Sequence, residues 1–299
     1  MQAARLSKSS GGTPAPTTAK WQPGYRVAWR YADDRFAVAD WSCDGARGIA
    51  PPADEFTRHF EINLHRRGWH IRSLARRRYF IDPLHHSLWP AQSGFRLSNN
   101  TAHPQAATLL FVSRELLEEA LGTIAGTGIA TMRRLRGRPA HWRSSALTVC
   151  HARLLATRSE DRLAIEENSL ALIRQVVAEA AGSAVAGVRS QSARRVAVVD
   201  RARSYILNRY RESLSLSSIA AASGVAPSTL CENFPCIVGV PVWRYVQRLR
   251  LQDAALALGE GATDLSRLAL DLGFSSHSHF AQAFRAHFGQ APSHFRRDL

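Results

Sequence analysis

The sequence has almost no lysine: of its 39 Lys and Arg residues only Lys8 and Lys20 are lysine. Arginine suits bidentate phosphate and guanine contacts, although a coding bias toward arginine would give the same count. Cysteine is scarce too. Cys43, Cys150, Cys231 and Cys236 make no Cys-x-x-Cys pair and no zinc spacing, which argues against a disulfide scaffold or a zinc finger and for reduced thiols in a cytosol. No apolar run has the length of a bilayer span. Met1 to Lys20 lacks the apolar stretch of a secretory signal, and its Ser, Thr, Gly, Pro and Ala content predicts a disordered leader over 1–20. No Ser-His-Asp order, glycine-rich phosphate loop or paired-carboxylate motif is present, so neither an enzyme nor a cofactor is expected. Acidic residues are also few, 24 against those 39, and the net charge is +15. That excess points to a polyanionic partner, nucleic acid before an anionic membrane.

What is present fits two domains. The 299 residues are 45% hydrophobic and 21% charged, enough for a core in each. From Trp21 to about 135 the pattern favours strands. Phe60, Ile62 and Leu64 alternate with polar neighbours, and Arg66-Arg67-Gly68 has the look of a hairpin turn before Trp69 and Ile71. Tyr79-Phe80-Ile81 stops at Asp82-Pro83, and Ala107 to Val112 is a compact apolar run. Short strands punctuated by Gly and Pro predict an antiparallel sandwich or barrel. Ser113 is placed to cap a helix over the next residues. Between 136 and 183 the pattern is helical, with one stripe at Leu147, Cys150, Leu154 and Leu155 and another at Leu163, Leu170, Ile173, Val176 and Val177. Two such helices can pair within one chain or across a dimer axis. Small polar residues over 184–195 read as a linker.

The last hundred residues hold a degenerate repeat. Leu216-Ser-Ser-Ile219-Ala220, Gly224, Leu230, Phe234 and Gly239 are echoed by Leu265-Ser-Arg-Leu268-Ala269, Gly273, Phe280, Phe284 and Gly289. Each copy reads as a striped helix, a glycine turn and a second helix with a polar outer face, the pattern of a helix-turn-helix. In the second copy Ser275 or Ser276 can cap the second helix, and Phe280, Phe284 and Phe288 must face the core. This turns Ser278, Gln282 and Arg285 outward, with His277 and His279 near the exposed start. Such side chains can read base edges or simply face solvent. The His277-x-His279 pair does not share a helical face, so no metal site is expected there. Val242 to Leu258 reads as one helix of roughly 25 Å, able to hold two reading helices about 34 Å, one duplex turn, apart.

Residues 196–299 resemble the DNA-binding domain of the AraC/XylS regulators. The resemblance rests on Arg250-Leu251-x-x-Ala254, on Leu268-Ala269-x-x-x-Gly273-Phe274 with Phe280 and Phe284, and on Phe288-Gly289-x-x-Pro292-x-x-Phe295-Arg296. It implies seven helices and two helix-turn-helix units in adjacent major grooves. By position, the base-reading residues are Ser228, Thr229, Cys231 and Glu232 in the first unit and His277, Ser278, His279 and Gln282 in the second. The first unit departs from the family pattern. Glu232 stands where a basic residue is common, and Pro235 predicts that the first reading helix ends or kinks by about Phe234. Cys236-Ile237-Val238 is apolar where the family is usually polar.

Upstream, Phe60 to Leu117 resembles the cupin-like sensor halves of such regulators. The residues are Tyr79-Phe80-Ile81-Asp82-Pro83, Gly94-Phe95-Arg96 and Leu109-Leu110-Phe111-Val112-Ser113. The resemblance implies a small effector inside a barrel, with Trp29, Trp69 and Trp89 as candidate lining. His59, His65, His70, His85, His86 and His103 invite a metalloenzyme reading, but they lack a compact His-x-His-plus-carboxylate cluster. The expectation is therefore an α+β chain: a cupin-like β-barrel with flanking helices at 21–135, a helical dimerisation or connector region at 136–183, and an all-α domain at 196–299. It would be a cytoplasmic, nucleoid-associated transcription regulator, mainly an activator, binding double-stranded DNA, RNA polymerase and a small effector as a homodimer, with no membrane partner. The rivals are a cupin-type metalloenzyme with an appended DNA-binding domain and a non-specific basic architectural protein.

Overall fold

The computed structural model describes residues 25–45, 53–57, 59–74, 77–98, 103–122, 140–142, 144–182 and 192–299. The leader expected over 1–20 and most of the linker expected over 184–195 lie outside these residues. Ten described strands are β1 (Tyr25–Ala32), β2 (Phe36–Cys43), β3 (Ala53–Thr57), β4 (Phe60–Arg67), β5 (His70–Leu74), β6 (Arg77–Ile81), β7 (His86–Trp89), β8 (Ser93–Ser98), β9 (Gln105–Val112) and β10 (Ala140–Trp142). They form a six-stranded sheet, β1-β2-β9-β4-β7-β10, and a four-stranded sheet, β3-β8-β5-β6. Where a barrel was expected, the described strands make two facing sheets and no closed cylinder.

Strand β4 shows why two layers form. Its Phe60, Ile62 and Leu64 join Phe36, Val38, Leu88 and Leu110 in a core on one face of the large sheet. Three described helices cover that face: α1 (Arg114–Gly122), α2 (Ser145–Ala156) and α3 (Arg162–Gly182). Ser113 accepts from the Leu116 amide and Ser144 from the Leu147 amide, so both α1 and α2 start on hydroxyl caps. Leu147, Leu154, Ile173, Val176 and Val177 are buried in this core, whereas Leu163, expected in the same stripe as the last three, is 66% exposed in the first turn of α3.

The alternate residues of β4 are polar and yet buried: Glu61, Asn63 and His65 face the second sheet. Arg72 of β5 meets Glu61 at 2.7 Å and lies over the rings of Trp89 and Phe95, which lets two charges sit between the sheets. The hairpin expected at Arg66-Arg67-Gly68 is not one. Strand β4 pairs with β7 and β9, while β5 pairs with β6 and β8, so this turn crosses from one sheet to the other. A register shift between His65 and Arg67 bends β4, and Gly68, at φ +75°, lies so close to Gln105 and the Pro104 carbonyl that a Cβ would clash.

Seven helices follow: α4 (Ala193–Arg209), α5 (Leu216–Ser223), α6 (Pro227–Val238), α7 (Val242–Gly259), α8 (Leu265–Asp271), α9 (His277–Phe288) and α10 (Pro292–Arg297). They enclose two separate cores. Ala202, Ile206, Leu230 and Phe234 lie in the first, and Ala269, Phe280, Phe284 and Phe295 in the second. Helix α7 serves both, giving Tyr245, Val246 and Leu249 to one and Leu251, Ala254, Ala255 and Leu258 to the other. The N-terminal domain enters both cores as well: Trp69, Ile71 and Leu84 join the first, and Ala152 of α2 joins the second. Among the described residues no helix is long and apolar enough to cross a membrane.

Candidate nucleic-acid interface

The second helix pair is built as the sequence predicts. Asp264 caps α8 by accepting from the Arg267 amide at 2.9 Å. Gly273 takes φ +81° after α8, and the Phe274 amide returns to the Ala269 carbonyl at 3.0 Å, closing the helix end. Ser276 is the cap of α9, accepting from the His279 amide at 3.1 Å. Phe280 and Phe284 are fully buried and Phe288 partly so, in a run of ring contacts that continues to Phe295. This packing leaves His277, Ser278, His279, Gln282 and Arg285 exposed. They are not equivalent. The His279 ring stands edge-on to Phe274, with Nδ1 3.1 Å from the Ser275 hydroxyl, so it is held in place, while no such contact fixes Gln282.

The first helix pair has a capping box, with Ser215 accepting from the Ser218 amide and the Ser218 hydroxyl facing the Ser215 amide. Gly224 turns the chain at φ +70°, and Pro227 opens α6 at a position where no amide hydrogen is needed. Leu230, Phe234 and Val238 are buried; Ser228, Cys231 and Glu232 are exposed, and Thr229 is half-buried. The helix does not end near Phe234: α6 runs to Val238 with Pro235 inside it. Pro235 removes only the hydrogen bond to the Cys231 carbonyl, which belongs to an exposed residue that water can satisfy. Buried Phe234 and Val238 on either side hold the last turn, and the Gly239 amide closes it on the Pro235 carbonyl at 2.8 Å. The apolar run after Pro235 is thereby explained in part. Val238 is buried and Ile237 packs against the same core, while exposed Cys236 turns its thiol to the Glu232 carbonyl at 3.2 Å.

Arg250 ties the two pairs together. From the middle of α7 its guanidinium donates to the carbonyls of Tyr210 at 2.7 Å, Gly273 at 2.5 Å and Glu212 at 2.9 Å. The first and third lie at the start of the first pair and the second in the glycine turn of the other. One side chain thus bridges the two pairs. Asp253, a turn further along α7, accepts from Tyr210 and Arg211. Neither role was legible beforehand, although Arg250 belongs to the motif that carried the resemblance. At the other end of α7, Arg244 and Arg248 stand near His287 of α9, whose basicity is lowered by burial first and by these two cations next. Arg244 and Arg248 form a positive strip between the pairs, beside a neutral His287.

The remaining candidates scatter. Trp29 is 41% exposed on β1, Trp69 stacks on Phe80 at the domain junction, and Trp89 is fully buried with Phe95 between the sheets, so the three tryptophans line no common space. Among the histidines, burial lowers His65 to about 3 and His86 to about 4. His85 pairs with Asp82 and His70 with Gln105. His59 is half-buried and His103 exposed. No three His, Cys, Asp or Glu side chains among the described residues gather closely enough to hold a metal ion.

A model described as a helix-turn-helix domain matches residues 219–298. The probable transcription factor PqrA of Proteus vulgaris is 33% identical over 87 residues, covering 29% of this chain and 71% of PqrA. The chain belongs to the AraC/XylS family. The transcriptional activator RhaS of Escherichia fergusonii is 26% identical over 165 residues, 53% of this chain, and the chain spans only 58% of RhaS. A solved transcriptional regulator of Chromobacterium violaceum, described by its AraC-type DNA-binding domain, is 30% identical, with a TM-score of 0.32 over 34% of this chain and 90% of that one. The family match falls on α5 to α10, the part of this AraC/XylS chain that holds both helix pairs and Arg250.

Proposed function

We propose that the chain is a sequence-specific DNA-binding transcription regulator. The two helix pairs are helix-turn-helix units, α6 and α9 are their recognition helices, and both lie in the major groove of one duplex. The observation that carries this reading is that two capped units share one helix, are clamped by Arg250, and leave both outer faces open. Base readout falls to Ser228, Thr229, Cys231 and Glu232 on one side and to His277, Ser278, His279, Gln282 and Arg285 on the other. Arg244 and Arg248 suit the phosphates between them. The chain acts as an activator, contacts RNA polymerase and works as a homodimer on paired half-sites, through the sensor domain or through α2 and α3.

A small effector controls it from the N-terminal domain, in the cupin-like space between the sheets. Asn63 Oδ1 and Arg72 Nε are buried there without a hydrogen-bond partner and favour a polar ligand. Footprinting at fixed salt is the test, and two protected segments about one turn apart are expected. The second unit supplies most of the specificity, because Glu232 repels phosphate where Gln282 can pair with adenine. Gln282→Ala should therefore weaken operator binding more than Glu232→Ala; the reverse order would overturn that division.

A further inference from the structure

The turn after β6 places a carboxylate at the junction of the two domains. Asp82 is fully buried and has four partners. Its Oδ1 accepts from the Leu84 amide at 2.9 Å and faces His85 Nδ1 at 2.6 Å. Its Oδ2 meets Arg203 of α4 at 2.5 Å and the Tyr245 hydroxyl of α7 at 2.6 Å. Arg203 is itself pinned, with its guanidinium 3.7 Å from the Phe80 ring centroid. The Tyr245 ring stands edge-on to Phe234 of α6, 5.4 Å between centroids. An unbroken line of contacts thus runs from the sensor sheet through Asp82 and Tyr245 to the first recognition helix. At the other end of α7 the N-terminal domain grips again, through Thr148 to Gln252 at 2.5 Å and through the Ala152 backbone against Gly259. The outward residues of α6 and α9 stay exposed while both grips are closed, so this contact does not mask the reading faces.

We propose that Asp82 is a positioning residue for DNA reading: through Tyr245 it sets the start of α7, and with it α6, relative to the duplex. The inference rests on the DNA-binding reading above. Its specific content is that the first unit depends on the sensor sheet while the second, held through α2, does not depend on Asp82. The carboxylate is fixed in its charged form, its acidity strengthened by His85 and Arg203 against the opposing effect of burial.

The test is hydroxyl-radical footprinting of the full chain on its best site at fixed salt. Asp82→Asn is compared with Tyr245→Phe, which deletes one hydroxyl and leaves the ring on Phe234. The segment read by the second unit is assigned as the one weakened by Gln282→Ala. Both variants should lose protection over the first unit's segment by about tenfold, the worth of one charge-assisted hydrogen bond, and keep it over the second unit's. Equal weakening of both segments would mean a merely structural role and overturn the proposal, as would unchanged protection in Tyr245→Phe. A wild-type chain that protects no site at all would overturn the DNA-binding reading and this inference with it.

Discussion

Replacing Gly273 by alanine tests whether the second helix pair depends on one glycine for its conformation or for its contacts. An L-residue at φ +81° carries a penalty of about 1–2 kcal/mol, whatever surrounds it. Gly289 provides the control: it sits at φ +80° and a Cβ there meets nothing within 4 Å, so Gly289→Ala should cost about that and no more. At Gly273 the new Cβ would lie 2.6 Å from the Arg211 carbonyl and 2.8 Å from Arg250 Nη2. The carbonyl is backbone and cannot swing aside, and moving Arg250 breaks charge-assisted hydrogen bonds worth about 1.5–3 kcal/mol each. Gly273→Ala should therefore cost about 3–5 kcal/mol in total, roughly 2–3 more than the control. Equilibrium urea unfolding of the full chain measures both, with unchanged m-values required for the comparison. Equal losses in the two variants would show that Arg250 does not hold the turn, and the clamp argument would fail.

Two further outcomes follow from the same packing. Pro235→Ala should stabilise the chain by about 1–3 kcal/mol, because it restores the hydrogen bond to the Cys231 carbonyl in a helix that already runs through this position; a loss of stability in the same urea assay would mean that the ring is needed for packing. The buried histidines make stability fall in mild acid. His65 and His86 have folded values of about 3 and about 4, below the ordinary value of 6.5, so the unfolded chain binds more protons between those limits. Their contribution is full above pH 6.5 and is lost as the pH falls toward 4, with a slope approaching about 1.4 kcal/mol per unit for each ring. Unfolding midpoints measured from pH 7.5 to 4.5 should show that slope, and His65→Gln should flatten it; an identical slope in the variant would refute the assignment to His65.

Legibility along the chain followed the range of the interactions. The cap at Ser113, the cap narrowed to Ser275 or Ser276, the glycine turn at 224, the left-handed Gly273 and the phenylalanine stripe of α9 depend on neighbours within a few residues, and the sequence pattern located each of them. Pro235 does not end the helix because its penalty is local, while the burial of Phe234 and Val238 that outweighs it comes from α4 and α7. Gly68 misled as to pairing. The turn is where the pattern puts it, but a turn does not say which strands pair.

The sequence by itself determined the two helix pairs, the outward face of the second and the helix between them, because each is written in helical spacing and cap chemistry, and its motifs carried the resemblance to the family. Only the tertiary structure decided what joins the parts. Arg250 reaches carbonyls 40, 38 and 23 residues away, Arg203 and Tyr245 meet Asp82 across 121 and 163 residues, and Glu61 finds Arg72 on a different sheet. A buried charge needs a partner, and the partner's identity is set by how the layers stack, which no local pattern encodes.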